Sequence, residues 1–586
     1  MKKVLFILLG CLLSFNVMAQ VKAISGLVTD VTGEPVIGAS VVEVGTTNGV
    51  ITDLNGKFSL KVAPNSQFLV SYIGYKQQTI KVGSESTYNI VLKEDAEVLD
   101  EVVVVGYGSQ KKVNVTGAVG MVGAEALEAR PVANASQALQ GVVPGLNLTV
   151  GNNGGALDGT LNMNIRGAGT IGDGSGSSPL VLIDGIEGDL NTVNPNDIES
   201  VSVLKDAASA SIYGARASFG VILVTTKSGK SGKTNVSYSG SARFSDAIGV
   251  PDIMDSYTFA QYFNRASANK GGGDIFAPAV MERIKAYQEG TLKATTVDNG
   301  AGIWQKWANA NGDTDWFEEF YDHWAPSQEH NLSINGGTDK TQYLISGSFL
   351  DQKGLMRHGK DKFQRYTLNG KITTAVTDWF KVTYSTKWTR EDFERPSYLT
   401  GNFFHNLARK WPVHPAYDPN GFPMDEGEVE QMENGGKQNS QKDFYTNQLQ
   451  LVFEPIKNWK INLDGSVRTT TQYQHWEVLP VYAYNVAGDP YYTVWDMGYG
   501  SYAAGSSRVN EYSWKENYYT TNIYSDYFKQ FDNGHYFKVM AGFNAELYKT
   551  RNITAEKNTL ITPGVPTINT ATDDPQAYGG YADNSV

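Results

Sequence analysis

The sequence predicts a mainly β protein with three regions: a small β-sandwich, a mixed α/β unit and the first strands, about nine, of a transmembrane β-barrel. Three observations predict it. Gly (61) and Tyr (32) are abundant among 586 residues, Cys occurs once, and helical periodicity is scarce, a composition that favours strands. Past residue 230 the chain alternates with period two over segments of ten residues or so, long enough for a tilted strand to cross a bilayer. The connections between these segments alternate short and long, which a barrel with turns on one side of a membrane and loops on the other requires and a soluble sandwich does not.

Residues 1–19 read as a secretory signal. Met1-Lys2-Lys3 is basic, Val4 to Leu13 is a short apolar core, and Val17-Met18-Ala19 offers small residues for cleavage between Ala19 and Gln20. A lipoprotein reading of "LLGC" (Leu8 to Cys11) competes, but the apolar run continues through Leu12-Leu13. If Cys11 leaves with the signal, the exported chain has no cysteine and is held by packing and ladders alone. No later stretch has the ~18 apolar residues of a membrane helix.

Residues 20–95 carry short alternating runs ("AISGLVTD", "GKFSLKV", "QFLVSYIGY", "YNIVLK") divided by turns such as Asn48-Gly49 and Asp53 to Gly56, the pattern of a sandwich. The acidic turn lacks the bidentate Glu of a calcium loop, so a plain turn is expected. Residues 96–112 form a junction around "LDEVVVVGYG", in which Asp100 and Glu101 precede four valines, Val102, Val103, Val104 and Val105. β-branched residues hold a chain extended, and Gly106 and Gly108 supply a hinge.

Residues 113–229 mix helix and strand. "NASQALQGV" (134–142) has a helix cap at its start, "SPLVLIDG" (178–185) is a buried strand ending in a turn, and residues 194–227 read as turn, strand, short helix and strand. "GAGTIG" (167–172) matches a dinucleotide fingerprint but runs into "DGSGSSP", which cannot supply the helix that would hold a pyrophosphate. "SGKSGKT" (228–234) lacks the leading glycine of a P-loop, because Val224 and Lys227 occupy those places. The seven histidines are scattered and no nucleophile elbow is present, so no metal, cofactor or catalytic site is expected. Arg166 and Asp184-Gly185 are the polar points to which two readings apply equally: contacts to a surrounding wall, since a buried charge needs a partner, or ordinary turn residues. Asp197 and Asp206 sit at turns and caps.

Residues 230–586 are assigned to the barrel. "KVTYSTKWT" sets Phe380, Val382, Tyr384, Thr386 and Trp388 against Lys381, Thr383, Ser385 and Lys387, and "YFKVMAGFNAELY" does the same from Phe537 to Leu547. The tight turns are 338–340, 376–378, "PIKN" (455–458) and "FDNG" (531–534), while the longest connections run to about 80, 50 and 40 residues. Aromatic residues gather at strand ends, as an interfacial girdle would. The tail after Arg551 reads as loop, and nine strands with an open edge would not be stable in lipid, so the sequence is expected to lack the C-terminal portion of its barrel. A formal charge of −12, from 49 basic and 61 acidic residues, excludes a general nucleic-acid binder.

In this order of regions, and above all in "SPLVLIDG" and "NPNDIESVSVLKDAASASIYGARASFGVILVTTK", the chain resembles the SusC-like (SusC/RagA type) TonB-dependent outer-membrane transporters. The resemblance implies a carboxypeptidase-regulatory-like sandwich, a plug domain and a portion of a 22-stranded barrel, in a protein that is not an enzyme and needs no cofactor. It marks Arg166, Asp184, Gly185, Asp197, Lys205, Asp206, Tyr213, Gly214 and Arg216 as the plug's characteristic residues, with Ala217-Ser218-Phe219 departing slightly from the usual pattern. It makes Asp100 to Val105 the TonB box, which docks on the TonB-type partner energised by ExbB/ExbD. Such a segment adds to the edge of a partner's sheet through main-chain hydrogen bonds. It further implies an outer-membrane location, a SusD-like surface lipoprotein as lid, and a dimer of transporter-lipoprotein pairs. The ligand would be an oligosaccharide or a peptide, with "GNFFHNLARKWPVHPAY" (401–417) and "PVYAYNVAGDPYYTVWDMGYG" (480–500) as outer loops that stack on sugar rings or receive the lid. The rival readings are an adhesive surface β-protein and an exported glycan-degrading enzyme.

Overall fold

The computed structural model describes residues 22–585 except 32, 47, 65, 73–74, 94–101, 106–107, 112–117, 129, 131, 151–156, 158–160, 168–177, 494–502 and 532–534. The signal and its junction at Ala19 and Gln20, together with Asp100 and Glu101, lie outside the described residues. The chain divides into two compact units, one built on residues 1–103 and 110–114, the other on 104–109 and 115–586.

The first unit is a sandwich of seven strands: β1 (Lys22–Thr29), β2 (Ser40–Glu43), β3 (Gly49–Ile51), β4 (Lys57–Val62), β5 (Gln67–Ser71), β6 (Gln78–Lys81) and β7 (Thr87–Val91). They form sheets ordered β4-β1-β7 and β3-β2-β5-β6. Alternation is strict in β4, where Phe58, Leu60 and Val62 are buried and Lys57, Ser59 and Lys61 are exposed. With Ile24, Val28, Phe68, Val70 and Ile90 they make one apolar core, each large side chain contributing about 1.5–3 kcal/mol on burial. Asp53 Oδ1 accepts from the amides of Asn55 (2.9 Å) and Lys57 (2.8 Å), an Asx-turn. After it, β8 (Val102–Val105) and β9 (Gly108–Lys111) pair as a two-stranded ribbon.

The second unit contains an α/β subdomain and a curved ten-stranded sheet. The subdomain's strands are β10 (Val119–Gly123), β11 (Leu146–Val150), β12 (Leu161–Ile165), β13 (Leu180–Ile183), β14 (Ile186–Glu187), β15 (Ile198–Leu204) and β16 (Val221–Thr226). Five of them form a sheet ordered β10-β15-β16-β13-β14, while β11 and β12 pair separately. The central strands are nearly continuous apolar runs, as strands covered on both faces must be. Their side chains Ile198, Val201, Val203, Ile222 and Val224 pack against Leu127, Leu139 and Leu190. Helix Ala135–Leu139 starts where the sequence predicts it, with Asn134 accepting from the Gln137 amide at 2.9 Å.

The ten strands of the curved sheet are β17 (Gly232–Ser245), β18 (Ala325–Gly337), β19 (Thr341–Lys353), β20 (Lys362–Thr377), β21 (Phe380–Pro396), β22 (Lys437–Ile456), β23 (Trp459–Val478), β26 (Arg508–Gln530), β27 (Tyr536–Asn558) and β28 (Gln576–Ser585). A small hairpin, β24 (Tyr482–Tyr484) with β25 (Pro490–Tyr492), interrupts the series between β23 and β26. Neighbours in sequence are antiparallel neighbours in the sheet, and β17 and β28 are its edges among the described residues. The tenth strand corrects the reading of the tail as loop. Its sequence, QAYGGYADNS, lacks apolar alternation but pairs with β27 over ten positions, from Gln576 opposite Glu556 to Ser585 opposite Leu547. A Cβ at Gly579 would lie 2.5 Å from Asn552 O, so glycine permits that close ladder.

Several outward-facing series are apolar near the short turns. Phe537 (53% exposed), Val539 and Phe543 (63%) line β27, and Trp379 and Trp459 stand at the turn ends of β21 and β23, the pattern of lipid contact with an aromatic girdle. No helix among the described residues is long and apolar enough to cross a membrane. At the opposite end, the long connections fold into a layer of their own. It contains helices Ser256–Asn269, Pro278–Gln288, Trp316–Phe320, Gly401–Leu407 and Val429–Asn434, packed on cores that include Trp316, Phe320, Phe403 and Val429, and Phe276, Ile284 and Val413.

Candidate functional site

The α/β subdomain is fastened to the inward face of the sheet by charged contacts, and these form the candidate site. The β13–β14 hairpin turns through Asp184 (φ 51°) and Gly185 (φ 86°), both left-handed, as a two-residue turn of this kind requires. The turn aims the Asp184 carboxylate at two partners. Within the subdomain, Oδ1 accepts from the Thr226 amide (2.9 Å) and Oδ2 from the Thr226 hydroxyl (2.6 Å). From the sheet, Lys387 of β21 donates to Oδ2, and Gln448 of β22 donates to the Asp184 carbonyl at 3.1 Å. Burial alone would raise this carboxyl, but Lys387 and Lys371 outweigh it and hold it well below the usual range.

Arg216 makes the second fastening. Its guanidinium forks onto Glu546 of β27, with Nη1 to Oε2 at 2.6 Å and Nη2 to Oε1 at 2.7 Å, the bidentate geometry that makes Arg strong in such pairs. Nη1 also reaches Glu187 Oε2 at 3.2 Å, and Tyr548 donates to the same Glu187 oxygen. Burial works against the Arg216 charge, yet Glu546 and Glu187 raise its affinity for the proton overall. Arg468 of β23 donates to the Glu187 carbonyl and pairs with Glu516 at 2.8 Å.

Asp197 is bonded by Asn369 of β20, and burial raises its carboxyl above the ordinary value. Further along, Arg365 of β20 is fully buried and donates to Asn191 O and Ala133 O, each at 2.6 Å. Arg243 of β17 donates to Val132 O and pairs with Glu329, both at 2.9 Å. Between these fastenings a cavity of about 300 Å³ is lined by Glu187, Asp197, Lys227, Lys371, Lys387 and Arg468, among others. Where the chain passes from subdomain to sheet, a Cβ on Gly229 would meet the Tyr343 backbone at 2.4 to 2.6 Å, so only glycine fits.

The other sequence-predicted residues serve the subdomain itself. Asp206 caps helix Ala207–Ala210 and accepts from Ala118 N (2.5 Å) and Ser209 N (2.9 Å). Those bonds hold its carboxyl at about 2. Lys205 donates to Pro144 O at 2.9 Å. Tyr213 packs on the Leu204–Val221 core, and Gly214 (φ 63°) breaks the helical turn before Arg216. Arg166 takes the turn reading and not the wall contact: it sits in a left-handed bend (φ 59°) with its amide on Gly145 O. The structure therefore brings Asp184, Asp197 and Arg216 to the sheet and keeps Arg166, Lys205 and Asp206 within the subdomain. Lys387, Arg365, Arg243, Arg468 and Glu546 were not singled out from the sequence; the only signal was that each falls on the polar face of its strand.

The outer loops also differ from expectation. Phe403 is buried, Trp411 packs on Phe259 and Phe263, and Tyr417 joins the adjacent core, so the 401–417 loop spends its aromatics on its own folding. Tyr482 and Tyr492 lie with ring centroids 4.9 Å apart and tilted by 31°, with Tyr492 half exposed. Within this layer His414 stacks on Trp307 at 4.5 Å, and burial followed by the Lys410 charge pushes its imidazole down to about 3. His358 bridges Glu319 (2.9 Å) and Glu433 (2.7 Å); burial lowers its pKa, but the two carboxylates raise it overall.

Comparison with known proteins agrees with this arrangement. Residues 111–221 match the TonB-dependent Receptor Plug Domain family, and residues 24–104 match the CarboxypepD_reg-like domain family. The chain is 35% identical over 377 residues to the TonB-dependent receptor SusC of Bacteroides thetaiotaomicron, which covers 62% of this chain and 33% of that protein. It is 32% identical over 414 residues to the TonB-dependent receptor P39 of Formosa agariphila, covering 70% of this chain and 36% of that one. The chain thus spans about a third of the length of the curated relatives it matches. Among solved structures, a RagAB peptide importer in an open-open state superposes with a TM-score of 0.62 at 23% identity, over 82% of this chain and 53% of that one. At that identity the likeness is one of fold.

Proposed function

We propose that this chain, SusC-like from the sandwich through the curved sheet, serves TonB-dependent active import of a nutrient across the bacterial outer membrane, together with a SusD-like surface lipoprotein. One observation carries the reading: an α/β plug seated against the polar face of a lipid-facing sheet and held by Asp184–Lys387 and Arg216–Glu546. A seal of ion pairs is removable in a way that a continuous apolar core is not.

In this proposal Asp100 to Val105 is the docking segment for the TonB-type partner, and force applied there draws a portion of the plug aside. The ligand is an oligosaccharide, a reading supported by the tyrosine pair Tyr482–Tyr492 on the outer layer, since flat aromatic faces suit sugar rings. A peptide ligand is the second reading, favoured by the fold likeness to the RagAB peptide importer. The test is deletion of residues 100–105 from the full-length protein in its native host. Import predicts lost uptake with retained surface binding of labelled ligand, whereas an adhesin would be indifferent. Comparing labelled oligosaccharides with labelled peptides in the same cells separates the two ligand classes.

A further inference from the structure

The outward face of the sheet carries a group of charges that neither the seal nor the docking segment uses. Glu546 and Tyr548 reach the plug, so Leu547, Lys549 and Arg551 point the other way. Outward positions on β27 run Phe537, Val539, Ala541, Phe543, Ala545 and Leu547, then Lys549 and Arg551. At ~3.3 Å per residue and a tilt of ~40°, the apolar stretch is about 25 Å tall, the height of a hydrocarbon band. Lys549 and Arg551 therefore begin where hydrocarbon ends, on the side of the long loops. On β26, Lys515 stands directly opposite Arg551 in the register, and all three cations are exposed.

Two cations directly opposite each other on neighbouring strands repel, and no ion pair to Lys515, Lys549 or Arg551 forms among the described residues. The nearest acid in the register is Asp583, an exposed residue across from Lys549, one carboxylate against three cations. The same register row shows what the wall does when it neutralises a charge: Arg390 and Asp443 pair through two bonds of 2.8 Å. Thr471 separates that closed pair from Lys515.

We propose that Lys515, Lys549 and Arg551 form a docking site for the phosphate groups of an anionic outer-leaflet lipid headgroup. Arg supplies a planar fork for phosphate and each Lys a point charge, at the level where such headgroups lie. The inference rests on the reading of the sheet as a membrane barrel.

The test uses the full-length protein in a neutral detergent, with diphosphoryl lipid A, its dephosphorylated counterpart and inorganic phosphate as probes, read by native mass spectrometry and titration. Diphosphoryl lipid A is expected to bind, and K515Q/K549Q/R551Q to weaken it roughly a hundredfold, at about fivefold per cation. The control K353Q, on distant β19, and the charge-retaining K515R/K549R/R551K are expected to bind like the wild type. Equal binding by the triple-Gln variant, equal binding of the dephosphorylated lipid, or equal occupancy by inorganic phosphate overturns the proposal. So does occupation of this face by a second copy or a partner protein in place of lipid. Wild-type protein that remains membrane-inserted yet binds no lipid A sinks this inference alone, whereas folded monomer in buffer without detergent sinks the barrel reading as well.

Discussion

Replacing Asp184 by Asn removes one charge from an enclosed ion pair of the seal. The side chain is 9% exposed and its partner Lys387 is 22% exposed. Asn keeps an acceptor for the Thr226 amide and loses the carboxylate shared by the Thr226 hydroxyl and Lys387. At ~3 Å and an effective dielectric of ~20, the gross attraction is about 5 kcal/mol. Desolvation cancels much of that, leaving the 1.5–3 kcal/mol typical of a charged hydrogen bond. Lys387 retains some compensation from nearby Asp197, so the expected loss is about 2 kcal/mol, close to a thirtyfold increase in local opening. Hydrogen exchange over residues 180–187 and 221–227 of the detergent-solubilised protein reads that opening directly. The control is a double-mutant cycle with K387M. Coupling of 1 kcal/mol or more is expected, and additivity within ~0.5 kcal/mol would refute a direct pair. The sign with pH follows from the depressed carboxyl: its contribution is present above the unfolded value near ~3.9 and disappears as pH falls through the folded one.

The outer layer should respond to pH with opposite signs at two histidines. His414 is held neutral, its Nδ1 accepting from the Trp307 amide (3.4 Å) and its Nε2 bonded to Asp425 O (3.0 Å). Its pKa lies at about 3, so its stabilisation is complete above pH ~6.5 and falls by up to ~1.4 kcal/mol per pH unit below that. H414N is expected to flatten this acid limb in thermal unfolding. His358 is raised by Glu319 and Glu433, so its contribution is complete below pH ~6.5 and fades as pH rises through the folded value; H358N should flatten the alkaline limb. G229A should push the Tyr343 backbone away and cost on the order of 1–3 kcal/mol, seen as lower Tm and faster exchange in the β19 amides.

Legibility in the sequence followed how strongly two solvents constrain a residue. Strands β20 to β23 and β26 to β27 were readable because an exposed apolar face on one side and polar contacts on the other force alternation. The apolar runs of β13, β15 and β16 were readable because both faces are covered. Strand β28 was not, because Gly579-Gly580 and scattered polar residues carry no period and the strand depends on its ladder with β27. Asp206 as a cap was legible because Asp is favoured just before a helix, where its carboxylate accepts a backbone amide such as that of Ser209. The wall partners were not. Lys387, Arg365 and Glu546 look like any inward polar residue until the plug's position is known, since parity fixes the face and nothing local fixes the contact. Arg166 falls to the other of its two readings: its left-handed backbone makes it a turn residue inside the subdomain and not a wall contact.

The seam differs in kind from the cores on either side of it. Leu139, Leu190 and Val224 make the plug rigid by apolar burial, while the seam relies on Asp184–Lys387, Arg216–Glu546, Arg365 to backbone carbonyls and Arg243 to Val132 O. A charged bond is strong only while it is dry. Once a single contact breaks, water enters, solvates both groups, and lowers the cost of breaking the next. The cavity of about 300 Å³ along the seam puts space for water beside Asp197, Lys387 and Arg468. On the import reading, this is the property a plug needs: its own core survives while its fastenings release in succession. An apolar seam of the same extent would hold the plug as firmly as the plug holds itself, and a pull on the docking segment would unfold the subdomain before releasing it.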